Sequence, residues 1–344
     1  VPIQDQVEID LTVSLENRVF NHDVKNTDGM LKLNVRIRPE KDNKASISLA
    51  LINQHKGGAD SPPAFNAAFF QVELSVTETN GASVFHPIDR AGGISEDEEL
   101  AILDMLYRDK RSFALGHGCG TGWTTDPNNK TVAKQVWSDF LPSCDIKPVK
   151  PREKALFANQ FDLSMRSLSE GDSSDSDFVG NLSLLAKDYE SWIIAKQDQL
   201  KNSLSGVYQI PATGNLEKCW ECLKRIKEGI EYLSLNKNAM LAFRLANRAM
   251  LIQQARTRFQ KDIDPDETYM DLPDDYRVPG ESDPVWRPFQ LAFVLMNISG
   301  CSENEHPDRE LVDLIWFPTG GGKTEAYLGL AAFVICLRRL TNSE

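Results

Sequence analysis

One stretch constrains this chain more than any other. Leu311-Val-Asp-Leu-Ile-Trp-Phe317 is an apolar run with the length of a buried parallel strand. Pro318-Thr-Gly-Gly-Gly-Lys-Thr324 follows at once, and Thr324–Leu340 then reads as a largely apolar helix. Strand, glycine loop and helix in that order form a phosphate-binding arrangement. A triphosphate needs several donors converging on it, and the backbone N–H groups of a glycine turn reach it with no side chain in the way. Gly320, Gly321 and Gly322 are the expected nest, and the helix opening near Lys323 adds its positive dipole end. Lys323 supplies a point charge to the β- and γ-phosphates, and Thr324 offers a hydroxyl to Mg²⁺. The expected ligands are therefore ATP and Mg²⁺, with Pro318 and Thr319 completing the loop. Phe317 departs from the strict G-x-x-x-x-G-K-[ST] pattern, which opens on glycine.

A second element lies upstream. Trp286-Arg-Pro-Phe-Gln290 opens an apolar helical segment. The Pro318–Thr324 core resembles that of superfamily-2 helicases, and Arg287-Pro-Phe-Gln290 resembles the opening of their motor domains. That resemblance implies that Gln290 reads adenine by paired hydrogen bonds, with Arg287 beside it in the nucleotide site. A single strand, loop and helix cannot bury its own apolar surface. Leu328, Leu330, Phe333, Val334 and Ile335 are expected to be exposed without more of the sheet.

The expected fold class is multidomain α+β: a β-rich domain, a helical middle region and the start of a RecA-like α/β domain. Residues 1–155 are read as the β-rich part, an antiparallel sheet or sandwich. Val7–Leu15, Leu31–Arg38, Ser46–Leu51 and Val72–Thr77 alternate apolar and polar residues with period two. Asn80-Gly81 marks a turn between the last of these and Ser83-Val-Phe85. Ser95 is the expected N-cap of a helix in which Leu100, Leu103 and Leu106 share one side. Phe113–Trp123 carries four alternate glycines around His117 and Cys119, which calls for tight turns or close backbone approach. A nucleophile and base at His117 and Cys119 lack a third orienting group, so a structural turn is preferred.

Residues 156–278 read as helical, with an acidic, flexible loop at 169–178. Leu182–Leu200, Leu216–Leu233 and Asn238–Lys261 carry apolar residues at three- and four-residue spacing. Arg244 and Arg248 lie one turn apart on the last of these, with Arg256, Arg258 and Lys261 further on. They form a candidate phosphate-facing strip for DNA, with a solvated or partner-facing strip as the other reading. Residues 279–344 hold the nucleotide elements.

Charge and cysteines narrow the class. A net charge of −12 excludes a simple nucleic-acid coat protein, while leaving room for local basic strips. Six cysteines in 344 residues do not make a disulfide scaffold. Cys219-Trp-Glu-Cys222 lacks a second ligand pair, so two buried or half-buried thiols are expected rather than zinc. No apolar run reaches the roughly 18 residues of a membrane span, and a cytoplasmic protein without membrane contact is expected.

Three stretches together resemble one family. They are Phe113–Trp123, Ala242-Phe-Arg-Leu-Ala-Asn-Arg-Ala-Met250 and Trp286–Gly329, including Trp316-Phe-Pro ahead of the glycines. The chain is similar to the helicase-like subunit of the DISARM phage-defence system, the DrmA type, over most of its length. The resemblance implies an ATP-dependent DNA helicase or translocase that works with a second subunit of the DrmB type. It also implies that the chain is an N-terminal portion ending just after helicase motif I. The acidic DExH box and the arginine fingers of a second lobe have no counterpart here, so these residues alone are expected not to hydrolyse ATP. The competing reading is a non-motor DNA- or partner-binding regulatory fragment with an incomplete nucleotide site. A kinase-like enzyme is disfavoured by Gln290 and the helicase-style core.

Overall fold

The computed structural model describes residues 6–12, 16, 18–55, 68–88, 97–143, 161–170, 175–204, 206–261, 274–277, 281–316 and 320–341. The chain divides into two units: residues 1–88 with 111–143, and residues 89–110 with 144–344.

The first unit holds two three-stranded antiparallel sheets. In one, β1 (Arg18–Asp23), β2 (Leu31–Pro39) and β3 (Ala45–Asn53) lie in chain order. The period-two pattern of β2 explains its central place. Leu31, Leu33, Val35 and Ile37 all point to the buried face, and Val35 and Ile37 are fully covered. The tight β2–β3 turn places Asp42 and Asn43 at positive φ, a conformation that short polar side chains tolerate. The strand expected at Val7–Leu15 does not form over its described part. Residues 7–12 join no sheet, and Ile9 and Leu11 instead pack against the core of β2. Their apolar alternation is met by packing without ladder hydrogen bonds. Residues 13–15 lie outside the described set.

The second sheet has the order β4 (Ser75–Thr77), β6 (Ala133–Asp139), β5 (Gly120–Thr125). Gly81 turns the chain at φ +74°, yet the two arms do not pair as a hairpin. Both go to β6: Val76 faces Val136, and Phe85 bridges Ala133. The glycines of Phe113–Trp123 permit close approach. Gly122 lies opposite Trp137, and a Cβ there would sit 2.3 Å from the indole ring. His117 and Cys119 are exposed.

The second unit is helical, and its helices match the expected segments: α2 (Asp175–Ser203), α3 (Gln209–Leu235), α4 (Lys237–Lys261), α5 (Pro288–Ser302) and α6 (Lys323–Thr341). The short α1 (Glu98–Leu106) is capped by Asp97, whose carboxylate accepts from the Leu100 N–H. Ser95 lies outside the described residues. The buried side of α1 is Ala101 and Met105, while Leu100, Leu103 and Leu106 are about half exposed. The expected apolar stripe is therefore the outer face. Its small opposite side allows contact with α3.

α3 packs on α2 and α5, and α6 packs on α4 and α5, around one continuous core. Close approach of α3 and α5 is set by Gly229, where a Cβ would meet the Leu295 carbonyl oxygen at 1.9 Å. The helical region and the loop-bearing segment share this core, and that changes the fate of α6. Phe333 is completely buried and Leu337 nearly so, whereas Leu328 and Ile335 remain about half exposed. α4 covers the side of α6 that was expected to need a sheet.

The apolar run before the loop is the other departure. Residues 311–316 belong to no sheet among the described residues. Val312, Leu314 and Trp316 are 95%, 85% and 80% exposed. A parallel strand is stabilised by neighbours on both edges and both faces, and the six strands among the described residues all lie in the first unit.

Candidate nucleotide-binding site

The site grows from local backbone requirements. Arg287 is the N-cap of α5 and Pro288 occupies the first helical position, where a missing N–H costs nothing. Gln290 folds back so that its Oε1 accepts the Arg287 N–H at 2.7 Å. The Arg-Pro-x-Gln spacing is thus a helix-start signature before it is anything else. Its other end reaches the glycine loop: Gln290 Nε2 donates to the Gly322 carbonyl at 2.6 Å, and Arg287 Nη1 donates to the Gly321 carbonyl at 2.5 Å. Both loop carbonyls, those of Gly321 and Gly322, are thereby held toward the start of α5.

Gly320 and Gly322 adopt φ of +79° and +82°, the left-handed region that side chains avoid. Around Gly322 there is no space either. A Cβ would stand 2.6 Å from Gln290 Nε2, 3.2 Å from Glu325 Oε2 and 3.8 Å from Arg287 Nη1. Lys323 begins α6, and Thr324, one residue on, is exposed. Glu325 Oε2 is buried without a hydrogen-bond partner among the described residues. These groups line a cleft of about 540 Å³.

Two anchors hold the cleft. Trp286, 3% exposed, donates from its indole N–H to Asn247 of α4 at 2.7 Å. Its ring also fills the space beside Gly329 of α6, where a Cβ would come within 2.6 Å. One side chain therefore ties α4, the start of α5 and α6 together. On the far flank, Arg225 of α3 makes paired bonds of 2.7 Å to both carboxylate oxygens of Asp313 and a third, of 2.6 Å, to Asp308. This holds the Asp313 carboxyl below the ordinary aspartate value, the hydrogen bond from Arg225 being the largest cause. The segment feeding the loop is fixed by charge, not by a sheet.

No protein-family model matches the chain. Over 284 residues, 80% of its length, the chain is 34% identical to the DISARM protein DrmA of Bacillus paralicheniformis. The chain belongs to the DrmA type. The match spans 23% of the length of that DrmA.

In this DrmA-type chain the structure brings together Arg287, Gln290, Gly320, Gly321, Gly322, Lys323 and Thr324 at one cleft. Pro318 and Thr319 lie outside the described residues. Arg244 and Arg248 are separated from each other by environment. The Arg244 guanidinium stacks over the Phe178 ring at 4.3 Å, donates to the Glu170 carbonyl and pairs with Asp175. It is 9% exposed, so the pair does not present one surface strip; Arg248 alone is exposed. The reason is the register of α4, which turns Arg244 toward α2 with the apolar face.

Sequence reasoning did not place Met165, Gln254, Val285, Arg258 or Glu325 at the cleft. Only Arg258 carried any signal, as part of the basic run on α4. The described cysteines are reduced thiols, and burial pushes those of Cys222, Cys301 and Cys336 upward. No metal-binding cluster occurs among the described residues. No described helix is long and apolar enough to cross a membrane.

Proposed function

We propose that this chain is the N-terminal part of an ATP-dependent, superfamily-2-type DNA helicase or translocase acting in anti-phage defence. The observation that carries the nucleotide reading is the braced loop. Two of its carbonyls are held by Arg287 and Gln290, and Gly320 and Gly322 take the left-handed backbone that glycine adopts without strain. Gly320–Gly322 would cradle the phosphates of ATP, Lys323 would neutralise their charge and Thr324 would hold Mg²⁺. The cation would supply charge neutralisation between the β- and γ-phosphates. Gln290 would read adenine and couple it to the loop, the contact of its amide with the Gly322 carbonyl supporting that link.

The defence reading rests on the likeness to DrmA. DNA as substrate, a DrmB-type partner and a cytoplasmic location extend the same reading, and Arg248 is the member of the basic pair accessible to a phosphate backbone. The exposed run at Val312, Leu314 and Trp316 is proposed as a strand of a RecA-like sheet completed by other parts of the protein.

DNA-stimulated ATP hydrolysis by the whole protein, with and without Lys323→Ala, tests the motor. Hydrolysis abolished by the substitution is expected, and hydrolysis unaffected by it would exclude this loop. The isolated 344 residues are expected to show no turnover; activity from them that is lost in Lys323→Ala would overturn the need for further elements.

A further inference from the structure

The sheet of β1, β2 and β3 has one face that its apolar core does not use. Leu31, Leu33, Val35 and Ile37 turn inward, so alternation puts Lys32, Asn34, Arg36 and Arg38 on the opposite face of β2. Arg36 and Arg38 are exposed. Their Cα atoms stand about 7 Å apart along the strand, within the Debye length of about 8 Å at physiological salt, so the two charges act together on an anion. The flanking strands do not neutralise them. Arg36 lies between Val19 of β1 and Ser48 of β3, and Arg38 faces Ser46. Arg38 donates to the Ser48 hydroxyl at 3.3 Å, and neither guanidinium meets a carboxylate among the described residues. The acid that the strands do place on this face, Asp23, sits at the other end and pairs with Lys32 at 3.5 Å. In the β2–β3 turn, Glu40 and Asp42 are matched by Lys41 and Lys44.

Residues 18–53 hold seven Lys and Arg against four Asp and Glu, a balance of +3 in a chain whose net charge is −12. Two ordinary reasons for charge on a sheet do not account for it. Charges that guard against edge pairing belong on edge strands, and β2 is the central one. Opposite charges set across strands stabilise a wet face, yet the neighbours of Arg36 and Arg38 in register are hydroxyls and an aliphatic side chain.

We propose that this face binds the phosphate backbone of DNA, with Arg36 and Arg38 as the charged contacts. Asn21, Asn34, Ser46 and Ser48 surround them with neutral hydrogen-bonding groups of the kind that phosphate oxygens accept from. The strands place no aromatic ring on this face for a base to stack on. Phe20 and His22 belong to the opposite face, where they meet edge to face. Contact is therefore with the backbone and independent of sequence. The proposal rests on the DNA reading above and deepens it, giving the first unit a grip on DNA of its own.

The test is binding of fluorescent DNA duplexes of two unrelated sequences to the whole protein across a salt series. The variant is Arg36→Gln with Arg38→Gln. Lys218→Gln with Lys224→Gln, at exposed positions of α3, removes the same charge elsewhere. Both pairs are first shown to melt like the parent. Loss of two phosphate contacts is expected to weaken both duplexes by about tenfold or more at about 0.1 M salt, and to reduce the slope of log affinity against log salt by about 2. The α3 pair is expected to bind like the parent. Parent-like DNA binding by the Arg36 and Arg38 variant, an equal loss in the α3 pair, or a loss confined to one sequence overturns this face as a backbone contact while the DNA reading stands. Parent-like DNA binding together with loss of a protein partner overturns it too, and gives the face to an acidic protein. Failure of the unsubstituted protein to bind either duplex overturns the DNA reading and the proposal with it.

Discussion

Gly322→Ala isolates what the braced loop is worth. Two effects add at this position. An alanine at φ +82° carries the left-handed penalty of about 1–2 kcal/mol. Its Cβ would also stand 2.6 Å from Gln290 Nε2, so the amide must withdraw from the Gly322 carbonyl. Losing that bond costs about 1 kcal/mol net. If the loop relaxes to another conformation, together these amount to about 2–3 kcal/mol, or about 30- to 150-fold in ATP affinity. Gly320→Ala is the control. It has the same backbone sign, φ +79°, but among the described residues no atom lies within 4 Å of a Cβ there. Only the backbone term of about 1–2 kcal/mol applies there, and the loss is expected to be about fivefold smaller than at Gly322. Titration of ATP with Mg²⁺ into the whole protein measures both variants, and thermal melting reports whether the fold is kept. If Gly322→Ala binds ATP as well as Gly320→Ala does, the amide brace contributes nothing and the reasoning fails.

Other perturbations address the anchors. Trp286→Phe leaves the buried Asn247 oxygen without its donor and should lower stability by about 1–3 kcal/mol; an unchanged denaturant midpoint would dismiss the link. The folded-state pKa of Asp313 is depressed, so its contribution is complete above the ordinary value near 3.8 and is lost as pH falls through the lower folded-state value. Asp313→Asn should therefore flatten the acid limb of the stability profile below about pH 4, and an equally steep limb would show that the Arg225 pairing is inconsequential. Among the described cysteines, exposed Cys119 should alkylate well before Cys222, whose burial raises its thiol. Mass-spectrometric labelling at mildly alkaline pH would read the order, and equal rates would contradict the burial.

Much of the architecture was legible from local pattern. The β2 alternation, the three long helices and the glycine loop with its helix each depend on residues near one another in the chain, where periodicity and φ requirements act directly. The failures share a cause. Val7–Thr12, Leu100–Leu106 and Leu311–Trp316 have apolar spacing that states a need for cover without saying what provides it. Ile9 and Leu11 found the core of β2, α1 turned its smaller side inward, and Val312, Leu314 and Trp316 have no cover among the described residues.

The candidate site divides along the same line. Gly320, Gly322, Lys323 and Thr324 were determined by the sequence itself, because a phosphate nest is built from the backbone conformations of consecutive residues. Tertiary structure alone decided what surrounds them. It turned Gln290 into a brace as well as a helix start, placed Arg244 against Phe178, and brought Met165, Gln254 and Arg258 to the cleft from distant positions. Such neighbours are chosen by how helices pack around one shared core, and that choice is made by contacts across the fold rather than by any spacing along the chain.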